Sequence, residues 1–227
     1  DGVPIEKTEQ ANARDCFGGR LTEELIESRL GIYNPSEIRV LDLSMAKLRS
    51  FDNMINKDLF PMVTELNISG NYIQNLRFIG HMPRLIKLYA GNNRIESLVS
   101  EEERGLRVLQ SLDTLDLSYN NIQSLAGLSE AKTPALRVLI LTHNKIVRLE
   151  IPESLKSLRE LEASSNSIRQ IDPTSFPPGL SLQYVGLEKN RIKSLSNFTN
   201  LTKLQSLKLT TNRLQYGEEV EKIKELP

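Results

Sequence analysis

The sequence predicts an α/β solenoid, in which about eight short strands stack in parallel as a curved sheet on the concave face, with short helices or irregular coil on the convex face. Three observations lead there. The 227-residue chain holds 36 leucines, about one residue in six. They fall into a pattern, apolar-x-x-apolar-x-apolar, that returns eight times along the chain. In seven of the eight copies an asparagine follows the last apolar position by three residues. A unit of this size cannot bury its apolar face alone, so the copies must stack into one continuous core.

The elements follow in chain order. Residues 1–20 read as a polar leader, partly flexible, carrying the lone Cys16. Residues 21–37 read as an N-terminal helical cap. In Leu21-Thr22-Glu23-Glu24-Leu25-Ile26 the threonine is an N-cap, acids fill the first turn, and Gly31 terminates the helix. Leu25, Ile26, Leu30 and Ile32 would cover the open edge of the first coil.

Residues 38–214 are the repeats. The first is Ile38-Leu41-Leu43; it recurs at Val63-Leu66-Ile68, Leu85-Leu88, Leu112-Leu115-Leu117 and Leu136-Leu139-Leu141, and again at Leu158-Leu161, Leu182-Val185-Leu187 and Leu204-Leu207-Leu209. The alternation L-x-L makes a short strand with its leucines on one face, and parallel neighbours lie about 4.8 Å apart. The asparagines are Asn71, Asn93, Asn120, Asn144, Asn166, Asn190 and Asn212; the first copy has Ala46 there. A buried amide at this place is expected to satisfy backbone groups where the chain leaves the strand, so the row becomes a ladder. From Ala46 onward the spacings are 25, 22, 27, 24, 22, 24 and 22 residues. The longest holds Val99 to Leu109, whose acids after Ser100 predict a short outer helix. Pro173 and Pro177-Pro178-Gly179 predict turn-rich coil. Residues 215–227, with Tyr216, Val220, Ile223 and Leu226 at helical spacing, read as the start of a C-terminal helical cap.

The pattern L-x-x-L-x-L-x-x-N-x-L, carried from Ile38 to Leu214 over about three quarters of the chain, resembles that of the leucine-rich repeat family. Copies near 22 residues with the tail N-x-I-x-x-L are similar to the short-repeat intracellular subfamily, which includes the phosphatase-1 regulatory repeat protein, the axonemal dynein light chain and the spliceosomal A-prime protein. The longer copies depart from that period. The entry L-T-E-E-L-I is similar to that of several ciliary and centrosomal members. The resemblance implies a scaffold or adaptor that holds a protein partner, such as a phosphatase, a cytoskeletal motor, a small GTPase or a ribonucleoprotein.

Composition narrows the functions. With 29 Lys+Arg against 29 Asp+Glu the chain has no broad field to draw it to nucleic acid or an anionic membrane. Its apolar runs, such as Val138 to Leu141, fall far short of the roughly 20 residues of a membrane span. One thiol makes no internal disulfide, which favours a cytoplasmic address, with the cilium, cytoskeleton or nucleus as variants. Glycosylation sequons at Asn67, Asn197 and Asn200 conflict with that address. Gly18-Gly19 lacks the context of a phosphate loop, and His81 and His143 lie 62 residues apart in different repeats. No catalytic residue, metal ligand, cofactor or small-molecule substrate is predicted, and the chain reads as a non-enzyme.

The informative positions are those between the strand leucines, which point away from the core. They carry six acids, Asp42, Glu65, Asp116, Glu160, Glu162 and Glu188, against Lys87 and Lys208. Tyr89, Tyr119, Ile140, His143 and Tyr184 place aromatic and apolar surface where solvent would otherwise lie, and tyrosine is a favoured interface anchor. Asp116, Glu160, Glu162 and Glu188 border them. The expected partner is a protein with a basic or mixed basic and apolar surface. Two alternatives stand beside this reading: a recruiting module of a larger enzyme or of a ciliary or cytoskeletal complex, and a ribonucleoprotein accessory protein using outward Arg169, Arg191, Lys193 and Arg213.

Overall fold

A computed structural model describes residues 19–31, 34–51, 60–98, 109–130, 133–214, 217–224 and 226. Cys16, most of the leader, the outer segment 99–108, Ile32 and Tyr216 lie outside them.

Each apolar-x-apolar copy yields a three-residue strand whose central side chain points inward. In order they are β1 (Val40–Asp42), β2 (Glu65–Asn67), β3 (Lys87–Tyr89), β4 (Thr114–Asp116), β5 (Val138–Ile140), β6 (Glu160–Glu162), β7 (Tyr184–Gly186) and β8 (Ser206–Lys208). They form one parallel sheet in sequence order. The register keeps equivalent positions side by side: Leu41, Leu66, Leu88, Leu115, Leu139, Leu161, Val185 and Leu207 make one inward row. All but Leu207 are fully buried; Leu207, beside the last coil, is covered only in part. A slip by one residue would turn every one of these side chains to solvent, so the hydrophobic pattern locks the register.

Pairing continues past the strands. The amides of Met45, Gly70, Asn92, Tyr119, His143, Ser165 and Lys189 each donate to a carbonyl of the following repeat at 2.8–3.0 Å. At each of these positions, and at Thr211, the backbone is left-handed, with φ between 52° and 70°. Only Gly70 of the eight is a glycine. The turn swings the next residue, the asparagine in copies two to eight, back into the core.

The asparagines form the expected ladder. Asn144 Nδ2 donates to Leu141 O of its own repeat (3.0 Å) and to Leu117 O of the repeat before (2.9 Å), while its Oδ1 accepts from Ile122 N (2.9 Å). Asn93, Asn120, Asn166, Asn190 and Asn212 repeat this pattern. Asn71 accepts twice, from Ala46 N and Leu48 N. One side chain thereby closes its own turn and welds it to its neighbour.

Helix α1 (Glu23–Leu30) begins as its sequence dictates, with Thr22 Oγ1 accepting from Leu25 N at 3.2 Å, and ends at Gly31 with φ 72°. Leu25 and Ile26 are buried over the first coil and Leu30 packs against the core in part. Ahead of it Gly19 O accepts from Arg49 N. Outside the sheet lie a short helix α2 (Ala126–Glu130) and two 3-10 turns, Pro35–Glu37 and Arg77–His81. Pro173 and Pro177 to Gly179 sit in turns, Gly179 with φ 86°. Two aromatic pairs that the leucine period gives no hint of also fill the coils: Phe51 stacks on Phe78 and Phe176 tilts against Phe198. At the far end α3 (Glu218–Glu221) is pinned by Glu219, which accepts from Leu195 N (2.8 Å) and Ser194 Oγ (3.0 Å).

Candidate protein-binding face

Strand alternation leaves two outward positions per strand, and the parallel register turns them into rows. One row reads Asp42, Asn67, Tyr89, Asp116, Ile140, Glu162, Gly186, Lys208; the other reads Val40, Glu65, Lys87, Thr114, Val138, Glu160, Tyr184, Ser206. A further row at the sheet's exit is made by the left-handed residues, Tyr119 and His143 among them.

Three of the predicted residues come together in the middle of the face. Tyr119 is 56% exposed, and its ring stacks on that of His143 with centroids 4.2 Å apart and planes 13° from parallel. Ile140 ends β5, the strand that leads to His143, with Asp116 on one side and Glu162 on the other. The result is a small aromatic and aliphatic platform flanked by carboxylates.

A second group forms one to three strands further on. Tyr184 is half-buried, and its hydroxyl donates to Glu162 Oε2 at 2.7 Å. Burial chiefly, then the bond to Glu162 and the charges of Glu162, Glu188 and Glu160, push the phenol up to about 12. Lys208 Nζ stands 5.5 Å from the ring centre. The arrangement depends on Gly186: a Cβ there would meet Glu162 Oε2 at 2.1 Å, so the glycine provides the space into which that carboxylate folds. The polar tip that makes tyrosine a useful anchor is therefore spent inside the protein at Tyr184. Tyr89, half-buried on β3, lies four strands from Tyr184 and belongs to neither group.

The acids are partly structural. Asp116 Oδ1 accepts from Ser118 N (2.8 Å) and Glu162 Oε1 from Ser164 N (3.0 Å), as Asp42 does from Ser44 N (2.8 Å). The last of these amides, chiefly, holds the Asp42 carboxyl below its ordinary value. Glu160, by contrast, is exposed. Sequence reasoning left Val40 and Met45 out of the site, yet they are 58% and 77% exposed at the first-repeat end of the same rows; the apolar character of those outward positions was the available signal. The sequon residues are engaged within the protein: Asn67 accepts from Ser69 N, while Asn197 and Asn200 donate to Ile171 O and Phe176 O.

Among the described residues no cluster of histidine, cysteine and carboxylates is placed to hold a metal ion, and no helix is long and apolar enough to cross a membrane.

The Leucine rich repeat profile matches residues 110–168 and 156–214. The chain is 31% identical over 191 residues to the Homo sapiens leucine-rich repeats and immunoglobulin-like domains protein 3, covering 82% of this chain and 16% of that protein. It is 30% identical over 178 residues to the Arabidopsis thaliana protein phosphatase 1 regulatory inhibitor subunit PPP1R7 homolog, covering 78% of this chain and 52% of that protein. The chain thus spans at most about half the length of these relatives. In three dimensions it resembles an internalin C2 of Listeria monocytogenes, with a TM-score of 0.60 at 19% identity over 96% of this chain and 88% of the other. That last likeness concerns the fold. Together with the registered strands and the asparagine ladder, these matches show that the chain is built of leucine-rich repeats.

Proposed function

We propose that this protein is a recognition module that binds one protein partner through the middle of its concave face and performs no chemistry of its own. Leucine-rich repeats generally mediate protein–protein interactions. The observation that carries the reading is the exposed Tyr119–His143 stack beside half-buried Ile140, on a sheet whose outward positions are mostly polar. A solvated face has no use for a stacked tyrosine and histidine, whereas an interface core gains from flat, rigid anchors. Glu160, Glu162 and Glu188 set the partner's character: a cationic or mixed cationic and apolar surface is attracted, and a phosphate backbone is repelled.

The phosphatase regulatory relative makes a phosphatase-type partner one candidate, and a parent protein with further domains is in keeping with the share of each relative that the chain spans. With one cysteine in the sequence, a reducing compartment is the proposed address.

The test is affinity capture with mass spectrometry, followed by measurement of the identified partner against three proteins: wild type, Tyr119→Ala with Ile140→Ala, and Tyr184→Phe. The first variant is expected to lose capture while its thermal unfolding stays within a few degrees of wild type; the second, altering only an internally bonded hydroxyl, is expected to retain it. Full capture by the Tyr119→Ala, Ile140→Ala protein would exclude the concave face.

A further inference from the structure

The opposite edge of the sheet, where the chain enters the strands, has a different character. A groove of about 820 Å³ runs along it from β3 to the approach to β8. Among the described residues five cations line it, Lys87, Arg137, Lys156, Arg159 and Lys203, against one acid, Asp113. The fold holds them in file. Asp113 O accepts from the amides of Arg137 and Val138, Arg137 O from those of Arg159 and Glu160, and Arg159 O from those of Gln183 and Tyr184, all at 2.8–3.0 Å. The residue just before each strand is thus pinned beside its equivalent in the next repeat.

Neutralisation along this file is incomplete. Asp113 bonds the Arg137 guanidinium, which chiefly holds the Asp113 carboxyl below its ordinary value, and Lys87 reaches Glu65 at 3.4 Å. Among the described residues Arg159 and Lys156 meet no carboxylate, and Lys203 meets only the Ser181 hydroxyl at 3.4 Å. Like charges on neighbouring strands repel, so the row is held at a cost that an anionic ligand would remove. Ser111, Ser157 and Ser181 add hydroxyl donors at equivalent positions of three repeats, with Ala135 in the repeat between the first two.

We propose that this groove docks an extended acidic peptide segment of a partner protein, a second contact at the edge where the chain enters the strands, away from the Tyr119–His143 stack. Five strand steps of about 4.8 Å span about 24 Å, the reach of about seven extended residues. Among the described residues no aromatic ring lines the groove to stack a base. Carboxylates alternating with small polar residues match both the cations and the serines.

The test is fluorescence anisotropy at low ionic strength with a labelled peptide of about eight residues, alternating aspartate and serine, the length following from the span above. Wild type is expected to bind it, with affinity falling as salt is added. Lys156→Gln with Arg159→Gln should weaken binding by at least about tenfold, the equivalent of about 1.4 kcal/mol. Lys203→Gln alone should give a smaller loss, and it carries the test if the double variant does not fold. Tyr119→Ala with Ile140→Ala should leave binding unchanged. The proposal is overturned by no binding to wild type, by equal binding to the groove variants, or by displacement of the peptide at lower concentration by an oligouridylate of the same length. None of these outcomes touches the concave-face reading, which has its own assay.

Discussion

Replacing Asn144 with alanine isolates the energetic role of the ladder. The substitution removes three bonds at 2.9–3.0 Å from a side chain that is 8% exposed. Their losses are unequal. Leu117 O keeps the amide of Asn120 and Leu141 O keeps that of Asn166, so each carbonyl falls from two donors to one. Ile122 N, in contrast, loses the one acceptor it has. An orphaned buried N–H costs about 1–3 kcal/mol, and each lost second bond about 0.5 kcal/mol or more, giving about 3 kcal/mol in all. Asn212 makes the same bonds in the last repeat but is half-exposed, so water replaces its amide and the cost there should be about 1 kcal/mol. Urea denaturation followed by circular dichroism reads both, provided the slope m is unchanged. Asn144→Asp supplies a control. A carboxylate still accepts from Ile122 N but turns lone pairs toward two carbonyls, so its folded pKa rises. The protein should then regain stability as pH falls toward that raised value. Equal costs at positions 144 and 212, or a cost at 144 below about 1 kcal/mol, would refute the weld between repeats.

Two further predictions follow from titratable groups. A near-ultraviolet titration should show one tyrosine ionising at about 12, absent in Tyr184→Phe and lowered toward 10 in Glu162→Gln or Gly186→Ala, which displaces the carboxylate. Because the folded pKa is raised, the associated stability is complete below 10 and is lost between 10 and 12; a Tyr184 midpoint unmoved in Glu162→Gln would disprove the contact. At the C-terminal cap, the bond from Lys222 chiefly, then that from Leu195 N, holds Glu219 below its ordinary 4.5. Its contribution is therefore present above 4.5 and fades as pH falls through the lowered value, and the Leu195 amide resonance should titrate with a midpoint below 4.5. A midpoint at or above 4.5 would show that the cap is not latched there.

The strands, the ladder and the N-terminal cap were legible because each rests on a repeated or local constraint. Leu41 and its equivalents recur in register, Asn71 to Asn212 sit at a fixed offset, and Thr22 caps the residues that directly follow it. What escaped depends on contact between repeats at positions with no periodic rule. Gly186 stands at one of the variable outward positions, yet its missing side chain decides where Glu162 lies and so occupies the hydroxyl of Tyr184. The groove cations escaped for a related reason. Attention to the two outward positions of each strand passed over the residue before it, where Arg137 and Arg159 stand, and the zero net charge averaged them against the acids of the concave face. The Phe51–Phe78 and Phe176–Phe198 pairs lie in segments of unequal length, where spacing carries no register.

The left-handed row has one more consequence. A side-chain-bearing residue in that conformation costs about 1 kcal/mol or more relative to glycine, and seven of the eight positions accept that cost. Hydrogen bonds to the following repeat hold the geometry whatever side chain is present, as methionine, asparagine, tyrosine, histidine, serine and lysine there attest, and Thr211 adopts it in the last repeat. The backbone behaves as a fixed rack with exchangeable fittings. Substitution at the rim can change which side chain the molecule presents without changing where it is presented.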